Sequence, residues 1–490
     1  MSKKVIVIGS GFSSLSSACF LAKAGYDVTV LEKNDSPGGR ARKFETQGFV
    51  FDMGPSWYWM PDVFDKFFAS FGKKTSDYYN LVRLSPSYKV VFGKENELLV
   101  PSNINEFYAM CENLEKGSAK KIEQFLKEAE YKYQVGINEL VYKPSHSLLE
   151  FADLKLLNGI IKLDVFKSFS KHVRSFVSHP KLIELLEFPI LFLGALPENT
   201  PALYSLMNYA DIKLGTWYPM GGMFKIVEAM VSLATELGVK FKYNQNVVKI
   251  VSEGKKATGV QTETGAYFAD IIVSGADYHH TDTKLLNGSR NYKDSYWEKR
   301  VMAPSSLIFY LGINKRLKNL LHHNLFFDKD FKIHANEIYT NPQWPSEPLF
   351  YVSCPSVTDK TVAPENCENL FILIPVAPGI EDTETIREKY YEMVMDRLEE
   401  ITEQKIRENV VYKKSYAHNN FISDYNAFKG NAYGLANTLK QTAILKPALK
   451  NKNLNNFFYT GQLTVPGPGV PPSLISGEVV ANEIKKEFAL

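Results

Sequence analysis

The chain has little of what marks a secreted, membrane-spanning or nucleic-acid-binding protein. Its 490 residues include only four cysteines, Cys19, Cys111, Cys354 and Cys367, with no CxxC pair and no metal-like spacing to histidine. That argues against a disulfide scaffold or a structural zinc and fits a reducing, cytoplasmic compartment. No stretch approaches the ~18 continuous apolar residues that a spanning helix needs. Only Val5 to Ile8 are apolar before Gly9, too short a run for a signal peptide. Charge of one sign is also missing: 57 basic and 54 acidic groups leave a net +3, so no global field recruits nucleic acid. Any membrane contact is therefore expected to be peripheral.

What is present is an ordinary globular composition, 45% hydrophobic and 23% charged, enough for two or three intertwined domains. Val5 to Ile8 is a β-branched run that stops at Gly9-Ser10-Gly11, after which Leu15, Ala18, Cys19 and Ala22 recur at helical spacing up to Gly25. A second strand, Val28 to Leu31, ends on Glu32, where a carboxylate can accept hydrogen bonds from a ribose hydroxyl. The chemistry asks for Gly9 at the tight turn and for Gly11 where backbone must approach a pyrophosphate on the helix N-terminus. Ser10 lies between them. Ser14 stands at the third fingerprint position, where Gly or Ala is usual, and is small enough for close packing of helix on strand. Ser13, Ser16 and Ser17 have no evident histidine partner and are read as packing residues.

Lys33 follows the acid, then Pro37-Gly38-Gly39-Arg40-Ala41-Arg42 and Phe51-Asp52-Met53-Gly54-Pro55-Ser56. Near the other end stand Tyr459-Thr460-Gly461-Gln462 and Pro466-Gly467-Pro468-Gly469-Val470-Pro471, and between them Trp217-Tyr218-Pro219-Met220-Gly221-Gly222. Together these motifs resemble the bacterial-type phytoene desaturases and related carotenoid oxidoreductases of the FAD-dependent amine oxidase-like superfamily. The resemblance implies FAD as cofactor, with Gly38, Gly39, Arg40 and Arg42 wrapping the diphosphate, and Gly54, Pro55 and Ser56 on the flavin side. It implies Val247 near the adenine and Gly275-Ala276-Asp277 as the turn beneath the cofactor. Gly461, Gln462, Gly469 and Val470 would then bring backbone amides and a helix N-terminus to the flavin pyrimidine edge, where reduced flavin carries negative charge.

The expected fold class is α/β: a discontinuous Rossmann-type FAD-binding domain, a mixed-sheet substrate domain, and a helical, membrane-associating region. Residues 1–75, 215–285 and 440–490 are assigned to the first. Residues 76–100 and 290–435 are assigned to the second, with strands at Leu307 to Leu311, Phe350 to Ser353 and Leu370 to Val376 and a helix from Thr383 to Gln404. Residues 101–214 form the helical region. Tyr88 to Val100 reads as a strand pair, and Leu148 to Met207 as helical with interruptions near Pro180 and Pro201.

A long hydrocarbon substrate without a polar handle needs apolar walls. Trp57, Trp59 and Tyr218 are candidates to line a tunnel; Phe64, Phe67, Phe68 and Phe71, at helical spacing, either line it or form a core stripe. Phe151 to Val177 interleaves apolar residues with Lys155, Lys162, Lys167, Lys171 and Arg174, which suits helices lying on anionic lipid or a solvated basic face. The expected reaction is desaturation of phytoene toward lycopene-type polyenes by hydride transfer to flavin N5, with oxygen or a quinone as terminal acceptor. No strong base is needed once the substrate is positioned and water excluded. Asp153 either takes the released proton or is a solvated helix carboxylate. A later-step desaturase of a hydroxylated carotenoid and a redox-neutral cis-trans isomerase share the same motifs. His279-His280 and His322-His323 lack further ligands, so no metal is expected and they are read as structural or surface groups.

Overall fold

Val5 to Ile8 is buried along its whole length, as befits a strand covered on both faces. In the computed structural model, which describes residues 2–147, 150, 164, 167–193, 196–286 and 288–490, it is the middle of a five-stranded parallel sheet. The order is Phe457–Tyr459, Ile271–Ser274, Lys4–Ile8, Asp27–Leu31, Lys240–Lys242. Val5 sits opposite both Ile271 and Val28. Distant stretches of chain thus meet in one sheet, and the Rossmann-type unit is discontinuous.

The helix Phe12–Lys23 packs against Phe224–Glu236 and, most closely, against the last helix, Val470–Glu487. The closeness comes from small residues. Ser13, Ser14, Ser16 and Ser17 are all buried, and Gly477 lies against them: a Cβ there would stand 2.6 Å from Ser16 Cβ and 2.8 Å from Ser17 N. Ser16 Oγ also donates to Leu474 O at 2.7 Å. The serine run is therefore a helix-crossing surface.

A second, seven-stranded sheet is ordered Val410–Tyr416, Ser305–Ile313, Glu368–Val376, Phe350–Ser353, His323–Phe326, Tyr88–Val91, Glu97–Val100. It is mixed, since His323–Phe326 runs parallel to Tyr88–Val91 while the other pairs are antiparallel. Alternation along its strands assigns the two faces. Leu307, Phe309, Leu311, Ile372 and Ile374 pack with Tyr391, Val394 and Leu398 of the helix Glu384–Thr402. Ser306, Ile308, Leu373 and Pro375 turn the other way, into a cavity between the two sheets.

Several expectations are revised. Phe64, Phe67 and Phe68 line no tunnel; they are buried on the helix Pro61–Ala69, Phe67 lying edge-on to Phe20 at 5.9 Å. Pro180 opens the helix Pro180–Glu187 instead of breaking one, since its missing N–H is harmless in a first turn. Two further strands are Lys256–Thr262, whose sequence is largely polar and carries little apolar signal, and Ala266–Phe268, whose three residues are too short a run to show a period. His279 and His280 lie on a short helix, and His322 and His323 are buried structural groups, not surface ones. Most of the basic stretch 151–177 lies outside the described residues. Among the described residues no helix is long and apolar enough to cross a membrane.

Candidate active site

The cavity between the sheets holds about 450 Å³ and joins two chemically different ends. One is built by loops at the carboxyl ends of the parallel strands, the usual ligand position of such sheets. Gly9, Ser10 and Gly11 line it, Gly9 at φ +86. A Cβ on Gly39, at φ +55, would come within 3.3 Å of Gly11 Cα, so glycine at 39 lets the two loops meet, whereas a Cβ on Gly11 would meet nothing within 4 Å. Gly38, Gly39 and Arg40 form the next part of the wall, followed by Gly54, Pro55 and Ser56; Lys33 and Val247 also line it.

Glu32, 4% exposed, accepts from Ser10 N at 2.8 Å, Ser10 Oγ at 2.6 Å, Asn34 N at 2.9 Å and Asn34 Nδ2 at 3.0 Å. Those bonds occupy the roughly four acceptor positions of a carboxylate. A ribose diol would exchange with the two side-chain donors, while the two backbone donors keep the carboxylate aimed. Arg40 donates to Asn431 O at 3.2 Å, but its Nε is buried without a partner. Burial holds its pKa below the usual guanidinium value, opposed only in part by the nearby Asp277 carboxylate. An orphaned guanidinium N–H in a cavity wall fits a diphosphate.

The C-terminal motif enters the same wall through Gly461, Gln462 and Pro468 to Ser473. Gly461, at φ +113, donates its N–H to Ser476 Oγ at 3.0 Å, and Gly469, at φ +109, caps the last helix. That helix end is poorer in donors than the motif implies. Pro471 and Pro472 have no N–H, and Ser473 N–H is taken by Gly469 O at 3.0 Å. Val470 alone keeps a first-turn N–H for a ligand.

The other end is apolar. Trp57 and Trp59 line it with Phe327, Ile338 and Leu349. Trp57 stacks on His323 at 4.1 Å, and Trp59 Nε1 donates to Thr216 Oγ1 at 2.9 Å, so both rings are held in the cavity wall by polar neighbours. Three wall groups went unnoticed in the sequence. His334 Nε2 donates to Pro375 O at 2.8 Å while Nδ1 accepts from Leu349 N at 3.0 Å, and burial pushes the imidazole down to about 4. It is a neutral ring with both nitrogens engaged. Tyr339 and Ser306 contribute hydroxyls, and Tyr339 Oη is buried with no hydrogen-bond partner. The alternation of Ser305–Ile313 was the one signal able to place Ser306 beside Ile308.

Three sequence-based candidates fall elsewhere. Ser14 does not line the cavity: Gly275 lies against its side chain, where a Cβ would stand 3.3 Å from Ser14 Cβ, so it serves helix-on-strand packing. Arg42 is also outside the lining; Nη2 pairs with Asp424 at 2.6 Å and the guanidinium lies over Tyr425. Tyr218 belongs to a separate small pocket, donating to Asp359 at 3.3 Å and lying edge-on to His322, because its strand, Trp217–Pro219, pairs with Leu81–Arg83 away from the main cavity. Asp153 lies outside the described residues. Among the described residues, Glu128, Asp164 and His172 approach metal-ligand spacing, but Lys132 Nζ stands 2.9 Å from Asp164 and 3.3 Å from His172, so an ammonium already fills the place of a cation.

Comparison with known proteins matches this architecture. Residues 13–485 match the family of flavin containing amine oxidoreductases. The carotenoid 3,4-desaturase of Haloarcula japonica is 40% identical over 99% of this chain and 98% of its own. The zeta-carotene-forming phytoene desaturase of Myxococcus xanthus is 29% identical over 98% of this chain and 94% of its own. Among solved structures, an oxidoreductase from Methanosarcina mazei superposes with a TM-score of 0.64 at 18% identity, covering 98% of this chain and all of that one.

Proposed function

The chain belongs to the flavin containing amine oxidoreductase family, among its carotenoid desaturases, and on that premise we propose that it is an FAD-dependent desaturase acting near the end group of an already extended polyene. The observation that carries this reading is the single cavity with a glycine-lined, charged end and an aromatic end. Among the described residues, every carboxylate, lysine and arginine of its lining belongs to the first end, including Glu32, Lys33, Arg40, Asp277 and Asp424. The similarity to a 3,4-desaturase, at 40% identity against 29% for the phytoene desaturase, favours the later step over phytoene itself.

FAD, when bound, supplies a two-electron acceptor that can take hydride from a saturated carbon beside a polyene. Glu32 would hold the ribose, the Gly9–Gly11 and Gly38–Arg40 loops the diphosphate, and Val247 the adenine side. Gly461, Gln462 and Val470 would take the flavin end. The Trp57 and Trp59 faces orient the chain of the substrate and exclude water. His334 remains neutral and contributes shape, so rate comes from positioning and desolvation more than from a base. The substrate is drawn from a lipid surface, and electrons leave to oxygen or a quinone.

The test uses FAD-loaded protein in liposomes with three substrates: phytoene, a lycopene-type polyene, and its end-hydroxylated form. Red-shifted polyene bands from the later substrates, with acceptor consumed in step with double bonds formed, are expected. Conversion of phytoene alone would refute the later-step reading, and geometric change without acceptor consumption would make the protein an isomerase.

A further inference from the structure

Three lysines are buried among the described residues, and two of them are paired: Lys89 with Glu97 at 2.7 Å and Lys132 with Asp164 at 2.9 Å. The third, Lys446, is 5% exposed, and its amine has no hydrogen-bond partner. Nor does it form an ion pair with any described residue. Burial alone, with no charged neighbour contributing, pushes it down to about 7. Beside it Asn437 is 4% exposed, and its Oδ1 is also unpartnered. A buried amine with nothing to pair with sheds its proton near neutral pH, and an anionic group facing it would hold it as an ammonium.

The position of the pair identifies that group. A Cβ on Gly467 would lie 3.3 Å from Lys446 Nζ and 3.1 Å from Asn437 Oδ1. Gly467 is the middle of the loop Val465 to Gly469, and the next two residues, Pro468 and Gly469, line the cavity. Lys446 is not part of the lining, but its amine lies against Gly467, one residue from the lining. This is the wall that borders the flavin in the reading above, and it is the wall short of amide donors, because Pro471 and Pro472 have none. Glycine at 467 leaves the amine room beside the loop.

We infer that Lys446 is the counter-charge for the reduced flavin ring. Hydride transfer brings two electrons and one proton, so the ring gains one negative charge relative to its oxidised form until a second proton arrives. An ammonium beside Gly467, at a position only 5% exposed, stabilises that charge and raises the reduction potential. Its role is electrostatic positioning of the redox equilibrium, without contact with substrate. The inference rests on FAD binding at this wall.

The experiment compares FAD-loaded wild type with Lys446→Met, Lys446→Gln and Lys446→Arg. The probe is sulfite, which adds to oxidised flavin and leaves negative charge on the pyrimidine edge; its affinity is read from bleaching of the flavin band. Sulfite Kd is expected to rise at least tenfold in the Met and Gln variants. Their two-electron midpoint potential should fall by about 30 mV, the equivalent of tenfold, and Arg should restore both. Unchanged sulfite affinity and potential in both neutral variants overturn the inference, also where their apo forms melt higher. A wild type that retains no FAD overturns the FAD reading itself, and the inference with it.

Discussion

Gly477→Ala tests whether the two ends of the chain build one site. In the wild type the last helix crosses the first at this residue. An added methyl would meet Ser16 Cβ at 2.6 Å, Ser17 N at 2.8 Å and, closer still, the carbonyl oxygen of Ser13. Two of those atoms are helix backbone, so no rotamer change relieves the contact and the helices must separate. Overpacking of this kind costs about 1–3 kcal/mol, and each kcal/mol corresponds to roughly 2–4 °C in melting temperature for domains of moderate size. Separation also moves the loop that leads into the last helix, since Gly461 N–H is held by Ser476 Oγ at 3.0 Å, one residue from Gly477. The variant should therefore melt several degrees lower by differential scanning fluorimetry and bind FAD more weakly in a flavin-fluorescence titration. Adding Ser16→Gly should not rescue it. That change relieves one contact, leaves the two backbone contacts, and deletes the Ser16 Oγ bond to Leu474 O. Wild-type melting and FAD affinity in Gly477→Ala would refute the described crossing and the coupling of helix packing to the cofactor wall.

Glu32→Ala removes a carboxylate held by two backbone N–H groups and should raise the FAD Kd ten- to a hundredfold, about 1.4–3 kcal/mol, in the same titration. His334→Leu leaves Pro375 O and Leu349 N without their partner and should cost about 1–3 kcal/mol in denaturant unfolding. Because burial holds His334 down to about 4, wild-type turnover should show no inflection assignable to it between pH 5.5 and 8. Tyr339→Phe removes the unpartnered cavity hydroxyl and should raise KM severalfold for an end-hydroxylated polyene while leaving the hydrocarbon form unchanged. Asp52 is pushed up from 3.8 to about 6 by burial, against the N–H groups of Met223 and Phe224. A carboxyl whose folded pKa is raised binds its proton more tightly in the native state, so its contribution is present at low pH and lost as pH rises through about 6. Asp52→Asn should flatten that part of the stability profile between about pH 4 and 6.

The backbone of the polar end was legible because its requirements are local. Gly9, Gly11, Gly38 and Gly39 answer to turn geometry and loop approach, and Glu32 to its place at a strand end; each can be read from neighbours within a few positions. The misassigned residues depend on direction. Ser14 and Arg42 sit inside the right motifs, but one turns toward Gly275 and the other toward Asp424, and a motif states position without stating where a side chain points. Tyr218 depended on a pairing with Leu81–Arg83 across more than a hundred residues of chain.

The apolar end was hardest to see for a related reason. Its walls are the inward faces of strands that are hydrophobic on both sides, so Ser305–Ile313 reads as one buried run and hides which residues meet helix and which meet cavity. The faces separate only once the helix Glu384–Thr402 is known to cover Leu307, Phe309 and Leu311. That leaves Ser306 and Ile308 for the substrate side. Lys446 is the extreme case: nothing around it in sequence distinguishes it from a surface lysine, and its burial comes from a loop contributed by the other side of the final strand. What the chain encodes locally is where the cofactor is held. What it encodes through packing is the shape and charge of the space above and behind it, where the proposed reading puts substrate choice and redox balance.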